Sequence, residues 1–524
     1  MLKMVDGTGI IGVDMVCPLG GTVSPPQPPN YDKVEVEGVG SLMLPNSLKA
    51  PLERLELIGN SMQGENPAPD NPQEIKSAGR KSKNLLIENI SVFTVQDNIA
   101  YIPLPEGHET KLYTMLIQKK PGENDDVGFT CGFYDKSNMT ATYSAPCLQA
   151  GNLVTGNGIV NSKIGVNHFV CFSPADSRFF DIYNVMYAEG KETTLDYEPY
   201  GYFFDLKITG KNLLSNKPTD RMIGKTTSWG AVPQTPVSYG KNVKNAIATI
   251  NAKSSTNYSF INKETNKLWV CRIIELDANG LGLVNHALYA NESFNYKKYN
   301  FSTRSNTANI VFEIKKVDNT ELLSTDIESN KIMLVEGEVN EPTPYEPYTE
   351  QTVQIALNEP LRGIGDYKDT ITKDGVVRKI KRAVFDGSED EKWGLSREHE
   401  NHINFALVIK GAITVNTGIR TMMDKFKYFG AIWNSDLLGQ DMFGATLRIN
   451  MPKTLATDLQ TFKTWLSQNP LTVDYVLAEP ATEPLPESVQ AQLQALHSEN
   501  GTTHVFVDSG EVEAGIKLTY RKEI

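Results

Sequence analysis

The chain has 524 residues, of which 40% are hydrophobic and 22% are charged, and its formal net charge is −12. One hydrophobic core rarely serves more than about 250–300 residues, so several domains are expected, and the composition is that of a folded chain. The acidic balance and the lack of a basic run argue against nucleic acid as a partner. No apolar run approaches the roughly 20 residues that span a bilayer, so no membrane insertion is expected. The opening segment is broken by Asp6 and Asp14 and does not resemble a signal peptide.

Turn-forming and aromatic residues are abundant along the chain. There are 40 Gly, 28 Pro, 21 Tyr and 20 Phe. Gly and Pro supply turn dihedrals, and aromatic side chains suit the half-buried surface of a sheet. The composition therefore predicts a mainly β fold with small helical additions.

The first 78 residues are predicted to form two pieces. Residues 1–33 begin with a Gly-rich stretch and end in a Pro-rich one, which favours a short peptide followed by an extended linker. Residues 34–78 are predicted to form a small β region, with short strands between Val34 and Asn60. Three Pro then punctuate the stretch from Gly64 to Ile75.

Two motifs occur twice, in the same order. Lys-Asn-Leu-Leu occupies 83–86 and again 211–214, and Tyr-Glu-Pro-Tyr occupies 197–200 and again 345–348. A similar apolar run precedes each copy of the second motif. An internal repeat of this kind indicates two copies of one domain.

The repeat predicts tandem β-sandwich modules of jelly-roll-like type, module 1 over 79–202 and module 2 over 203–350. Alternation of apolar and polar residues predicts strands within them at 111–117, 127–134, 167–172 and 268–274. The repeated motifs are interpreted as packing elements at the edges of the modules, since Tyr and Pro bury area and fix the direction of the chain.

Residues 351–524 are predicted to form a mixed β/α C-terminal domain. Apolar residues at helical spacing predict helices over Thr454–Ser467 and Glu487–Leu496. Strands are predicted at 353–357, 376–380, 405–409, 502–507 and 515–520.

Three patterns suggest a cofactor or metal, and each has a simpler explanation. Residues 7–12 match GxGxxG, but only six residues precede them, too few for the strand that a dinucleotide site needs. His399 and His402 lie three residues apart in a polar stretch without a third convergent ligand. The five Cys are widely spaced with no CxxC pair, so buried free thiols are expected. No cofactor and no metal are predicted.

The sequence contains no GxSxG elbow, no Walker loop and no Cys with a plausible His partner. No catalytic residue is assigned, and the protein is expected not to be an enzyme. Sugar binding would use aromatic rings that stack on the apolar faces of sugars. The candidate ligand-binding residues are Trp229, Trp269, Trp393 and Trp433, whereas Trp465 is expected to pack beside the first predicted helix.

Six motifs in one order carry a resemblance to a known class of proteins. They are ERLELIGNSMQGENPAPDNPQEI, KNLL, YEPY, NEPLRGIGDYKDTI, WLSQNPLTVDYVLAEP and ALHSENGTTHVFVDSGEVEAGIKLTY. In this order they resemble the modular minor structural and tail-fibre (baseplate) proteins of tailed bacteriophages and prophages of Gram-positive and gut bacteria. The resemblance covers residues 34–524. It implies repeated modules similar to carbohydrate-binding β-sandwiches, and residues 1–33 are then a candidate virion-anchoring peptide.

The expected function is that of a phage tail structural protein that helps to attach the virion to its host through weak, multivalent carbohydrate binding. The expected partners are other copies of the chain, most simply as a trimer, other tail or baseplate proteins, and a host cell-surface glycan. The expected location is the virion, after synthesis in the host cytoplasm. One alternative is a purely architectural baseplate or adaptor protein, and a second is a depolymerase of the cell envelope.

Overall fold

The structure is a computed structural model. It describes residues 31–86, 197–214, 245–262, 269–277, 281–288, 298–316, 331–339, 344–430 and 432–524, together with strands and a few neighbouring residues in 1–30 and 87–196. The fold is mainly β, as predicted, with neighbouring strands in every sheet antiparallel.

The N-terminal part of the chain supplies strands to a large sheet. Its strands are β1 Met4–Asp6, β2 Gly9–Ile11, β3 Tyr31–Val39, β4 Ser41–Ser47, β5 Arg54–Ile58, β6 Ser61–Met62, β7 Lys76–Ser77 and β8 Arg80–Lys81. β1 and β2 pair with each other, and β6 pairs with β7. β3, β4, β5 and β8 all join the large sheet described below.

Module 1 follows β8. Its strands are β9 Thr94–Gln96, β10 Ile99–Pro103, β11 Tyr113–Lys119, β12 Thr130–Asp135, β13 Thr140–Ser144, β14 Val154–Gly156, β15 His168–Phe172 and β16 Tyr183–Glu189. They form two sheets, one in the order β13-β12-β15-β10-β9 and one in the order β14-β11-β16.

Module 2 repeats this topology. After β17 Tyr202–Thr209 come β18 Asn245–Asn251, β19 Asn257–Asn262, β20 Trp269–Leu276, β21 Gly282–Leu288, β22 Lys298–Ser302, β23 Asn309–Lys316 and β24 Ile332–Glu336. The sheet orders are β21-β20-β23-β18 and β22-β19-β24. Strand for strand this is the order of module 1 without β9. The two sheets face each other, because Phe260 of one sheet stacks on Phe312 of the other at 5.9 Å inside a shared core.

The remaining strands complete the large sheet and add a smaller one. They are β25 Glu350–Leu357, β26 Gly363–Ile364, β27 Tyr367–Lys368, β28 Thr370–Thr372, β29 Gly375–Phe385, β30 Gly394–Glu398, β31 His402–Val408, β32 Thr421–Met423, β33 Gly439–Phe443, β34 Thr446–Pro452, β35 Leu471–Glu483, β36 Gly501–Asp508 and β37 Gly515–Glu523. Helix α1 spans Leu459–Gln468 and helix α2 spans Glu487–Ala495. The large sheet, here called the central sheet, has the order β25-β17-β36-β4-β3-β37-β5-β28-β29-β35-β32.

The predicted boundary between residues 34–78 and the C-terminal domain is wrong. β3 pairs with β37 over nine residues, from Tyr31 opposite Glu523 to Val39 opposite Gly515. β4 pairs with β36, and β5 pairs with β37 and β28. Strands β3–β5 and the C-terminal strands therefore build one sheet around one core, which includes Leu57, Leu206, Val505 and Leu518.

Both modules are insertions into the central sheet. Lys81 of β8 lies opposite Tyr202 of β17, so module 1 leaves and rejoins the sheet at neighbouring positions. Thr209, at the other end of β17, lies opposite Glu350 of β25, so module 2 does the same there. Almost all of β17 falls within the range predicted for module 2, 203–350, but it belongs to the central sheet, so module 2 itself lies between Thr209 and Glu350.

The predicted helices are confirmed with one shifted boundary. Helix α2 begins after Pro486 as expected. Helix α1 begins at Leu459 rather than at Thr454, because the Asp458 carboxylate accepts the Thr461 N–H and the Thr461 hydroxyl binds back to the Asp458 N–H. α1 packs on the smaller sheet, of order β30-β31-β34-β33, where Phe462 stacks on Phe405 at 4.1 Å.

Candidate functional site

The repeated motifs of module 1 bind each other where the chain enters and leaves the module. The Asn84 side-chain amide donates to the Glu198 carbonyl at 3.0 Å, and the Asn84 side-chain oxygen accepts the Leu86 N–H at 2.9 Å. The Glu198 N–H in turn donates to the sulfur of buried Met186 at 3.4 Å. We call this arrangement the clasp.

Module 2 has the same clasp with the equivalent residues. The Asn212 amide donates to the Glu346 carbonyl at 3.1 Å, the Asn212 side-chain oxygen accepts the Leu214 N–H at 3.0 Å, and the Glu346 N–H reaches the Met333 sulfur at 3.3 Å. Asn212 also accepts the Leu334 N–H at 3.2 Å. Both asparagines are 1% exposed, so these bonds satisfy backbone groups that water does not reach. This supports the interpretation of the motifs as packing elements.

The two faces of β17 have different partners. On one face, Phe204, Leu206 and Ile208 point into the core of the central sheet, and the other face contacts both modules. This second face carries Phe203, Asp205, Lys207 and Thr209 in a row. The two ends of this row form different joints.

The joint of module 1 is built around a charged side chain. Arg80 lies 3.0 Å from a carboxylate oxygen of Glu198 and 3.0 Å from one of Asp205, and its guanidinium lies 5.1 Å from the centre of the Phe203 ring. Burial works to lower the pKa of Arg80, but the two carboxylates outweigh it and raise the pKa. Arg80 therefore keeps its positive charge in this joint.

The joint of module 2 is built around a neutral side chain. His504 of β36 is 1% exposed and lies opposite Thr209. Its Nδ1 is 3.5 Å from a carboxylate oxygen of Glu336, which also binds Lys253 at 3.0 Å. Phe506, two residues along β36, packs against the core of module 2. Burial lowers the pKa of His504 to about 4, although Glu336 opposes this shift.

The interior of module 2 contains a polar cluster that the sequence analysis missed. Glu275 is 0% exposed, and its oxygens accept from Thr307 at 2.5 Å, the Arg304 N–H at 2.9 Å and His286 at 2.8 Å. The other nitrogen of His286 lies 3.2 Å from the Tyr299 hydroxyl. Burial works to raise the pKa of Glu275, but these bonds outweigh it and lower the pKa. The carboxylate is fully occupied, which suits a network that holds the sandwich together. The sequence does contain a signal for this cluster, because Glu275 occupies an inward-facing position of the largely apolar strand β20.

Trp393 is the candidate ligand residue whose prediction the structure corrects. It is 5% exposed, packs edge to face on Phe462 at 5.1 Å, and donates its indole N–H to Glu391 at 2.7 Å. No face of this ring is available to stack on a sugar. Trp465 packs beside the same core, with its ring 6.2 Å from Phe426, as expected.

Trp433 lies in a short 3-10 helix, Ile432–Asn434, on the face of the smaller sheet that points away from its core. The Asn450 amide donates to the carbonyls of Ile432 and Ser435, and the Ile432 N–H donates to Asp441. The loop is therefore anchored by buried polar side chains. The environment of the Trp433 side chain lies outside the described residues.

Exposed apolar side chains flank this loop. Phe429 is 49% exposed, Leu437 54% and Phe443 58%, and the Arg448 guanidinium lies 5.2 Å from the centre of the Phe443 ring. Aromatic rings beside polar and charged groups are the chemistry that sugar recognition needs. We call residues 428–443 the Trp433 surface.

The other two tryptophans are described in part or not at all. Trp269 is the first residue of β20 in module 2, opposite Lys316, and its side-chain environment lies outside the described residues. Trp229 lies outside them altogether. The described residues therefore do not define a site that combines the four candidates.

Of the predicted histidine pair, His402 is part of a loop anchor. His402 lies 2.8 Å from Asp436, which also accepts from the backbone and side chain of Asn401. Burial works to raise the pKa of Asp436, but these bonds outweigh it and lower the pKa to about 2. No group of three His, Cys, Asp or Glu that could hold a metal occurs among the described residues. The GxGxxG segment has only β2, Gly9–Ile11, among the described residues.

A cavity of about 430 Å³ opens between helix α2 and strands β5, β25 and β28 of the central sheet. Its described lining is mostly aliphatic and includes no aromatic ring. The lining residues are Pro51, Leu52, Glu53, Leu55, Leu57, Ile355, Ile371, Thr372, Lys373, Leu493 and Gln494. No helix among the described residues is long and apolar enough to cross a membrane.

No family model matches the chain, and no curated protein matches it. Solved structures that match include T=1 particles derived from infectious bursal virus, with 8% identity, 97% of this chain and 81% of that chain covered, and a TM-score of 0.11. The VP2 subviral particle of infectious bursal disease virus matches with 7% identity, 97% and 84% coverage and a TM-score of 0.11. Similarity at this level carries no argument about fold or function.

Proposed function

We propose that this protein is a structural component of a bacteriophage tail, in the fibre or baseplate, that presents two sandwich modules for attachment to the host surface. Its location is then the virion. Its partners are further copies of itself, neighbouring tail proteins and a host glycan. The resemblance of the six motifs to phage tail proteins is the starting point for this proposal.

The observation that carries the proposal is the insertion of two sandwiches with one topology into one sheet. Each module leaves and rejoins the central sheet at neighbouring strand positions, and each is closed by the same clasp. A rigid sheet with two similar domains fixed to one strand is an arrangement for display. Two weak sites held together bind a surface more tightly than either does alone.

The burial of Trp393 favours the architectural alternative, in which the modules are spacers that bind no glycan. It removes one of the four aromatic candidates. The two proposals differ in a measurable way, because only the first requires affinity for a glycan.

The test uses the full-length protein and two excision variants. Ser82 donates its N–H to the Gly201 carbonyl at 2.8 Å, so a short Asn-Gly turn between these residues replaces module 1 without disturbing β8 and β17. A turn between Gly210 and Thr349 replaces module 2 in the same way, since the Gly210 N–H reaches the Thr349 hydroxyl at 3.2 Å. The measurement is saturable binding to host cells and to isolated wall polysaccharide.

The proposal expects the full-length protein to bind and both excision variants to bind at least tenfold more weakly while staying folded. Loss on Trp433→Ala or Phe443→Ala instead would place the glycan site on the Trp433 surface. Val39→Ala, at a 56% exposed position on β3 of the central sheet, is the control and should bind normally. Absence of binding by the full-length protein in its native oligomer would support the architectural alternative.

A further inference from the structure

Four polar atoms without hydrogen-bond partners meet where module 2 contacts the central sheet. They are Nδ1 and Nε2 of His504, Oε2 of Glu336 and Oγ1 of Thr209, all buried and unpartnered among the described residues. Thr209 and His504 are directly paired across β17 and β36, and Glu336 reaches His504 from the module at 3.5 Å. A buried polar group that lacks a partner costs free energy, so this concentration at one joint is unusual.

The residues around His504 determine whether its imidazole can carry a proton in the closed joint. On the central sheet its ladder neighbours are Thr209 and Met43, neither of which titrates, and Phe506 stacks on its ring at 6.1 Å. From module 2 it faces Glu336, with Lys253 bound to the far side of that carboxylate.

A further pair of charges lies beside Thr209, on β17 and β25. Glu350, opposite Thr209, is bound by Lys207 at 3.1 Å and by the Tyr348 hydroxyl. The neighbouring charges therefore largely cancel at His504, and burial is the main cause of its lowered pKa.

We infer that the contact between module 2 and the central sheet is a proton-sensitive joint, closed while His504 is neutral and opened when His504 takes up a proton. The module stays tethered, because both of its connections to β17 and β25 are covalent and its clasp does not titrate. The change is the loss of the contacts that Glu336, Lys253 and the core of module 2 make with His504 and Phe506.

The direction of the pH effect follows from the two states of His504. In the open joint the imidazole is exposed and has its ordinary pKa of 6.5, whereas in the closed joint burial lowers the pKa to about 4. A depressed histidine pKa means that the closed state binds fewer protons. Closure is thus fully favoured above pH 6.5 and weakens as the pH falls from 6.5 to 4. Over this window the closed-to-open ratio falls by up to about 300-fold, roughly tenfold for each pH unit.

The experiment is hydroxyl-radical footprinting of the full-length protein between pH 7.5 and pH 4.5, with peptides analysed by mass spectrometry. The expected result is a several-fold rise in the oxidation of His504 and Phe506 as the pH falls. Phe203, 1% exposed at the joint of module 1, should not change. Small-angle X-ray scattering on the same samples should show a larger radius of gyration at the lower pH.

Two substitutions remove the titrating group. His504→Phe and His504→Gln should each make the footprint of Phe506 independent of pH, and having both protects the test against one variant that fails to fold. His497→Asn, at a partly exposed histidine in the same domain, is the matched control and should keep the wild-type response. The inference is overturned if wild-type Phe506 shows no pH response, or if that response persists in both His504 variants.

Discussion

The two modules share a topology and a clasp, yet they are joined to the central sheet by opposite kinds of chemistry. Module 1 is held by the Arg80 guanidinium, which lies between the carboxylates of Glu198 and Asp205. Module 2 is seated on a buried histidine that is neutral at the same pH, and on a phenylalanine ring. An ion pair is weakened by salt, whereas a buried imidazole is disturbed by acid. One fold has thus been attached twice with different sensitivities.

The largest effect should come from removing a buried carboxylate of the central sheet, to which both modules are joined. Asp369 is 0% exposed and accepts the backbone N–H groups of Arg362, Lys379 and Ile380, the last two at an irregularity in the β29 ladder. Asp369→Ala leaves these donors unpaired, and we expect a loss of about 3–5 kcal/mol in the free energy of unfolding.

Chemical denaturation of the full-length protein measures this loss. Asp374→Ala, an exposed position on the adjacent turn, is the control and should change stability by less than about 0.5 kcal/mol. Equal effects of the two substitutions would show that Asp369 does not organise the sheet.

The two clasps should support their modules to a similar degree. Asn212→Ala removes the donor to Glu346 and an acceptor for Leu214 and Leu334. Asn84→Ala removes the donor to Glu198 and an acceptor for Leu86. Because each substitution leaves buried backbone groups unpaired, we expect each to cost about 2–4 kcal/mol. Hydrogen exchange of the amides in each module measures both, and unchanged exchange in a module whose Asn is replaced would contradict the role of its clasp.

The apolar part of the second joint can be weakened alone. Phe506→Ala removes a ring that packs on the core of module 2. It should weaken the association of module 2 with the central sheet by about 1–3 kcal/mol. Limited proteolysis should then cut the connections of module 2 faster and leave those of module 1 unchanged. Faster cleavage at both modules would mean that Phe506 supports the sheet in general.

The smallest effect should come from the charged joint. Arg80→Gln removes a partly exposed ion pair, so we expect a cost of about 1 kcal/mol at low salt that largely disappears at 1 M salt. Arg80→Lys keeps the positive charge but cannot bind both carboxylates with one planar group. It should therefore cost less stability than Arg80→Gln but more than none. Thermal unfolding at two salt concentrations gives the answer, and a cost that does not depend on salt would contradict an electrostatic joint.

The sequence predicted what is local or repeated. Strand alternation and the repeated motifs gave the two modules, and Pro486 gave the start of helix α2. The pairing of β3 with β37 joins residues almost 500 positions apart, and nothing in either segment names its partner. The roles of Asp369 and His504 could not be predicted for the same reason. Asp369 depends on the backbone groups that the fold places around it, and His504 depends on the module that packs against it. Trp393 was misjudged because tryptophan serves a core and a binding face equally well.

The clasps also have a mechanical consequence. Each lies between a module and the strand ends at which that module joins the sheet, and it ties the incoming chain to the outgoing chain. A pull on a module therefore loads the bond between Asn and the Glu carbonyl before it reaches the ladders of β17. Under tension the clasp is the first element to carry force, and it shields the sheet from being unzipped one pair at a time.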